Sequence, residues 1–406
     1  MKREILGRDI LKRNIFVLIF LIILSACLSV RCYADDIDEG EGSSAVIQLE
    51  DIPALKNELP RIDATAAIVM DMESGRVLYE KNAHSQRAIA STTKILTSII
   101  AIEKGNLEDI VTVSERAASI WGSKIKLKEG EKLKLKELLY GLMLNSGNDA
   151  AIAIAEHIAG SVENFADMMN SKAVEIGAKN SHFITPHGLD TPGQYSTAYD
   201  LALITRYALK NPVFAEIVKT KTSEIPGRSL HNTNEVLFSY PGADGVKTGY
   251  TGQAGRCLVA SATKNNTKII TVVLNCATRA KRAQSTINLF EYAFNNYKKV
   301  TLIQQNRNIE VLPVDRGIEK WVNIKAAAEI TMPLRTDEEE KLKMKLELPE
   351  MLEAPVKAGE EIGYAIFTID DMELARTPLY IAESVRRKNF LDYLWDVFKS
   401  WLSIIK

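Results

Sequence analysis

The sequence predicts an α+β protein, and three observations carry that reading. Strand patterns stand at both ends of the first large segment with helical patterns between them. Past Val300 the chain alternates apolar and polar residues in short runs broken by Gly and Pro. The last 22 residues form an amphipathic helix on their own. One sheet assembled from both ends of a catalytic-size domain, followed by a small all-β domain, satisfies all three.

Taking the chain in order, Lys2, Arg3, Arg8, Lys12 and Arg13 form a basic leader, and Ile15 to Val30 is uncharged and apolar. Cys32-Tyr33-Ala34 follows, so residues 1–34 have the parts of a secretory signal peptide, and the apolar run is short for a membrane span. Leu24-Ser25-Ala26-Cys27 reads alternatively as a lipoprotein signal with Cys27 lipidated. Both readings export the protein. Residues 35–58 are acidic, with Gly40, Gly42, Ser43 and Ser44, and read as a flexible linker.

The first folded segment is expected over 59–298. Ala66-Ala67-Ile68-Val69-Met70 and Arg76-Val77-Leu78-Tyr79 flank Glu73-Ser74-Gly75, a hairpin signal. A helix then starts near Ser91 and ends near Gly105. Helical patterns continue at Leu135 to Leu144, Ala150 to Ile158, Phe165 to Ile176 and Tyr199 to Leu209. Phe183 to Leu189 is a loop by its Pro and Gly. Gly245 to Thr251, Arg256 to Thr263 and Lys268 to Leu274 read as strands, and Arg282 to Asn296 as an amphipathic helix.

Residues 299–384 form the β-rich unit; Ile309 to Val314 and Lys341 to Leu348 alternate with period two and read as half-buried strands. In 385–406, Asp392, Asp396, Lys399, Ser403 and Lys406 recur at steps of four and three. They leave Phe390, Leu394, Trp395, Phe398 and Trp401 on the remaining surface. Such a helix lies at a membrane interface or packs back on the β unit.

The net charge of −1 supplies no basic excess for tracking a phosphate backbone, which argues against nucleic acid as a partner. Neither His-Glu-x-x-His nor Cys-x-x-Cys spacing occurs, so no metal and no cofactor are expected. Cys257 and Cys276 fall on or beside neighbouring predicted strands. They either pair in an oxidising compartment or pack as small apolar residues.

Chemistry concentrates in three short stretches. Ser91 and Lys94 stand three apart, one helical turn, so both side chains share a face. A serine hydroxyl needs a neighbour to take its proton, and a lysine serves when burial or a second cation lowers its pKa. Alone, this spacing is common, and Ser91 reads equally as a helix cap. Leu144-Asn145-Ser146-Gly147-Asn148-Asp149 adds a second serine and an amide on a tight turn. Asp244-Gly245-Val246-Lys247-Thr248-Gly249-Tyr250 adds Lys-Thr-Gly on a strand. Ser-x-x-Lys, Ser-x-Asn and Lys-Thr-Gly in that order are a far more specific signal than any one triplet.

With these motifs, and with Gly188-Leu189, Ser196-Thr197-Ala198-Tyr199-Asp200 and Ala254-Gly255, the sequence over about 60–406 resembles the serine D-alanyl-D-alanine carboxypeptidases, the low-molecular-mass penicillin-binding proteins. The resemblance implies a DD-peptidase/β-lactamase-like catalytic domain, an antiparallel sheet with helices on its faces. It implies removal of the terminal D-Ala from peptidoglycan pentapeptide stems, with β-lactams as covalent inhibitors. On that model Ser91 is the nucleophile, Lys94 the base and Ser146 a proton relay to the leaving amine. Asn148 and Lys247 keep Lys94 neutral and oriented. Lys247 and Thr248 grip the substrate carboxylate, and Gly249 lets the strand edge approach closely. By analogy the N–H groups of Ser91 and Tyr250 form the oxyanion hole. Arg282 is placed near the carboxylate by the family pattern, with a solvated helix residue as the other reading. The expected location is the outer face of a bacterial cytoplasmic membrane, held by the terminal helix.

Two other readings are weighed. A class A β-lactamase needs a Glu with an Asn four residues on, and none lies between Asn148 and Lys247: Glu163 leads to Asp167 and Glu175 to Lys179. A non-catalytic peptidoglycan-binding scaffold sits poorly with motif residues that are all intact.

Overall fold

The computed structural model describes residues 58–404, so the leader and the linker up to residue 57 lie outside the described residues. Strand β1 (Ala66–Asp71) is buried along its whole length. Ala66, Ile68 and Met70 pack into one apolar cluster, and Ala67 and Val69 into a second on the opposite face. A strand covered on both sides needs apolar residues at every position, which explains the unbroken Ala-Ala-Ile-Val-Met run. The chain then reverses. Asp71 Oδ2 accepts from the Ser74 N–H and hydroxyl at 2.7 and 2.6 Å. Gly75, at φ +76°, takes the left-handed turn position into β2 (Val77–Lys81).

The three late strands are β3 (Ala243–Thr251), β4 (Gly255–Lys264) and β5 (Thr267–Cys276). Asn265 and Asn266, at φ +50° and +58°, make the two-residue turn between β4 and β5. All neighbours are antiparallel and the order is β2-β1-β5-β4-β3, so the early hairpin and the late strands share one sheet with β3 at an edge. On one face sits a helical layer around α1 (Lys94–Lys104), with α2 (Leu135–Leu144) and α3 (Asn148–Ala159). On the other, α4 (Arg279–Asn296) buries Leu289, Phe290 and Ala293. Helix α4 begins three residues before the sequence expectation because Thr278 caps it, its side chain accepting from the Lys281 N–H.

Cys257 and Cys276 are buried in the clusters on opposite faces of the sheet and are not joined by a disulfide, so they pack rather than pair with each other. The small hairpins Ile110–Thr112 with Lys132–Lys134 and Thr222–Ile225 with Arg228–His231 carried no sequence signal strong enough to be read.

The β-rich unit is a six-stranded sheet, including β6 (Asn308–Asp315) and β7 (Trp321–Ala326), plus a two-stranded ribbon. Leu312, Val314, Val322, Ile324, Phe367 and Leu379 form its core. Lys343–Glu347 is an edge strand, and Met344 is half exposed. The half-buried alternation is otherwise kept: Leu342, Leu346 and Leu348 pack partly buried against that core, while the lysines between them are exposed, as suits an edge strand. The unit docks on the catalytic domain through Arg76, which bonds the Pro333 carbonyl and Glu338. Helix α5 (Phe390–Ile404) follows.

Candidate active site

Ser91 does not lie on the α-helix, contrary to the sequence expectation. It sits in a single 3-10 turn, Ala90–Thr93, and α1 begins at Lys94. Ala90 has φ +48°, which α geometry cannot accommodate. The Thr92 and Thr93 hydroxyls donate to the Ile89 and Ala90 carbonyls at 2.7 and 2.9 Å, which fixes the tight turn. In a 3-10 turn, side chains three apart eclipse. Lys94 Nζ therefore stands over Ser91 and donates to its Oγ at 2.7 Å. The helix N-cap is Thr93, so Ser91 has no capping role.

Lys94 is fully buried and has two further acceptors, Asn148 Oδ1 and the His187 carbonyl, both at 2.7 Å. All three acceptors are neutral. Asn148 is the first residue of α3, following the turn in which Ser146 takes φ +60°. Its amide is held by donating to the Trp121 carbonyl at 3.0 Å, and its N–H donates to the Ser123 carbonyl at 2.8 Å. Buried Asp149 next door ties the same loop down, accepting from the Ile125 and Leu127 N–H groups. Burial raises the Asp149 pKa despite those bonds, which act in the opposite direction.

The His187 carbonyl is positioned by its neighbours. Thr97 Oγ1 donates to the Pro186 carbonyl at 2.7 Å. Gly188 has φ +89°, and a Cβ there would lie 2.0 Å from the Ala90 carbonyl oxygen, so only glycine fits. The His187 ring accepts from the Leu189 N–H through Nδ1. Burial, then the charges of Lys94 and Arg116, lower its pKa to about 3, so the ring is neutral at physiological pH.

The Lys-Thr-Gly strand β3 completes the site. A Cβ on Gly249 would come within 3.0 Å of the Ser91 nitrogen and 3.1 Å of the Thr92 nitrogen. The sheet edge thus lies directly against the Ser91 turn, where alternate backbone groups of an edge strand face outward. Lys247 is buried, its Nζ donating to the Thr248 carbonyl at 2.9 Å. Thr248 Oγ1 is 2.7 Å from Thr233 Oγ1. The Tyr250 ring lies under the Arg256 guanidinium, 4.4 Å from centroid to Cζ. Ser146 is almost fully buried two residues before Asn148.

Arg282 is not the solvated helix residue of the second sequence reading. It is 1% exposed, and it forks onto Glu235 at 2.9 and 2.7 Å. Neighbouring Asn234 donates to the Gly245 carbonyl at 2.8 Å, so Arg282 braces the segment that runs beside β3. A guanidinium engaged with a carboxylate is a weaker partner for a substrate carboxylate.

Sequence reading missed the His187 carbonyl, Glu235 and Asp190. Asp190 accepts from Thr251 Oγ1 at 2.6 Å and from the Gln253 N–H, and thereby joins the His187 loop to the end of β3. The Pro-His-Gly run was the one available signal, since Pro186 and Gly188 mark a fixed loop.

Sheet, helical layer and motif geometry together define the DD-peptidase/β-lactamase-like class, here with a β-rich second domain. Residues 54–278 match the family model described as D-alanyl-D-alanine carboxypeptidase, and residues 297–387 match the C-terminal domain of penicillin-binding protein 5. Among curated relatives, the carboxypeptidase DacF of Bacillus subtilis is 35% identical over 350 residues, covering 84% of this chain and 90% of its own length. DacC of Escherichia coli is 36% identical over 370 residues, covering 85% and 92%. Penicillin-binding protein 5 of Haemophilus influenzae superposes with a TM-score of 0.72 at 31% identity, over 81% of this chain and 99% of that one. The chain belongs to the D-alanyl-D-alanine carboxypeptidase family, whose members act on peptidoglycan stem peptides and bind β-lactams.

Proposed function

We propose that the reaction runs through an acyl-enzyme on Ser91 with Lys94 as its base. The observation that carries this is the arrangement of Lys94 Nζ, 2.7 Å from Ser91 Oγ, Asn148 Oδ1 and the His187 carbonyl. A neutral amine has two hydrogens and one lone pair. The Asn148 and His187 oxygens accept hydrogens only, so with both bonds kept the lone pair turns to the Ser91 hydroxyl. Burial of Lys94 favours that neutral form, and on this reading the Lys247 charge acts in the same direction. Ser91 Oγ attacks the D-Ala–D-Ala carbonyl as Lys94 takes its proton. The N–H groups of Ser91 and Tyr250 receive the developing oxyanion, each such donor worth roughly 2.7–4 kcal/mol. Ser146 passes the proton to the leaving amine, Lys247 and Thr248 hold the terminal carboxylate, and water then hydrolyses the acyl-enzyme.

This chemistry takes place outside the cytoplasm, with residues 1–34 as the signal peptide and α5 resting on the outer face of the membrane. Phe390, Leu394, Trp395, Val397 and Trp401 are each more than half exposed, so α5 does not pack back on the β unit here. Its acids are turned to the chain itself: Asp392 pairs with Arg386 and Asp396 with Lys388. Among the described residues no helix is long and apolar enough to cross a membrane.

Diacetyl-Lys-D-Ala-D-Ala tests the activity. Wild type releases D-alanine and Ser91→Ala does not; no release from folded wild type contradicts the reading. Nitrocefin separates it from a β-lactamase. Glu163 and Glu175 are exposed and engaged with Arg116 and Lys172, so neither is placed to activate a deacylating water. Turnover is expected to be slow, and rapid turnover is the contrary result.

A further inference from the structure

The turn between β6 and β7 is bonded to the root of α5. The Ile318 N–H donates to the Arg386 carbonyl at 3.0 Å, and the Lys388 N–H donates to the Arg316 carbonyl at 2.8 Å. Gly317 and Arg387 form a bridge between those bonds. The residues before α5 therefore run as a short extra strand beside the turn. Side chains extend the contact. Lys388 Nζ reaches Asp396 at 2.7 Å, and the Lys320 charge also acts on Asp396. The turn and the first two turns of α5 are one locally braced unit.

That unit exposes apolar side chains that its own fold does not use. Ile318 is 42% exposed and Trp321 59%. Val322 and Ile324 fill the core of the β unit, so Trp321, one position out of phase, points to the other face of the sheet. Val311 on β6, 46% exposed, shares that outward phase, because Leu312 and Val314 are the inward residues. Around these side chains the charges are paired: Arg316 meets Asp315 and Glu353, Arg387 meets Glu353, Arg386 meets Asp392 and Lys388 meets Asp396. An exposed tryptophan and isoleucine, ringed by paired charges and bonded to the root of an amphipathic helix, match the interfacial zone of a bilayer, where indole sits at headgroup depth.

We propose that the Arg316–Trp321 turn is a second membrane-contacting element, seated in the headgroup region of a bilayer beside α5. It rests on the reading of α5 as an interfacial helix and goes beyond it. A lone amphipathic helix is free to roll and swivel under its domain. A turn hydrogen-bonded to the helix root and itself docked on lipid fixes how the β unit stands on the surface.

The test uses the full mature chain and vesicles of phosphatidylcholine and phosphatidylglycerol in equal parts, with brominated acyl chains in the quenching arm. Trp121, Trp321, Trp395 and Trp401 are the four tryptophans. The W121F/W395F/W401F chain reports on Trp321 alone and keeps aromatic side chains on α5. Bound to vesicles, its emission is expected to shift to the blue and be quenched. I318S/W321S is expected to float about fivefold less than wild type, with penicillin labelling unchanged as the check on folding. A chain that floats normally while Trp321 stays unquenched, with I318S/W321S floating as wild type does, overturns the proposal and leaves the helix reading intact. Loss of flotation by wild type itself, or equal flotation after residues 389–406 are removed, overturns the helix reading and this proposal with it.

Discussion

Ser91 and Lys94 gain their relation from the turn that holds them. Eclipsing in a 3-10 turn places the amine over the hydroxyl, while Asn148 and the His187 carbonyl fix its remaining hydrogens. Asn148→Ala removes one of those acceptors. A hydrogen bond to a charged group contributes about 1.5–3 kcal/mol, so acylation by penicillin should slow by roughly 10- to 100-fold with folding kept, measured by stopped-flow labelling. His187 gives a pH signature. Its pKa falls from 6.5 to about 3 on folding, so the unfolded chain takes up the proton first. The stability this residue contributes is full above pH 6.5 and drains as pH falls toward 3. Between pH 7 and 5, wild type should lose about 2 kcal/mol that His187→Gln does not lose, measured by denaturant unfolding. Glu235→Ala leaves the buried Arg282 charge without its fork and should cost about 3 kcal/mol, read in the same way.

At the scale of elements, the parts that show period or punctuation were readable. Helix α2 was read to its ends because Leu135, Leu138, Leu139 and Leu142 repeat at helical spacing. The hairpin β1–β2 was read from its glycine turn. The exact entry into α1 was not, because a positive φ at Ala90 leaves no trace in an alanine. The His187 carbonyl was hidden for a related reason: a backbone acceptor has no sequence letter. Gly188 was seen as a loop residue, but its use appears only where its missing Cβ meets Ala90. Gly188→Ala should therefore displace the loop that feeds Lys94. It should lower penicillin acylation as well as thermal stability, whereas an effect on stability alone would argue that the loop does not serve the base. Asp190 acts at this scale too, as a positioning residue that ties that loop to β3.

Across the whole molecule, one sheet built from the two ends of the catalytic segment explains why Ser91 and Gly249 meet although 158 positions separate them in sequence. Fold class, three motifs and the terminal helix were legible because each is local or periodic. The burial of Arg282 was not legible because its partner Glu235 lies 47 positions away and no spacing announces a buried pair. The catalytic domain is locked to the β unit by Arg76 with Glu338 and by Lys299 with Glu73.

The central claim is that Ser91 carries the acyl group. Peptide mapping by mass spectrometry after brief exposure to benzylpenicillin tests it most directly. The account predicts a single penicilloyl adduct on the peptide containing Ser91, lost in Ser91→Ala. An adduct on the peptide containing Ser146, or labelling that persists in Ser91→Ala, would contradict it.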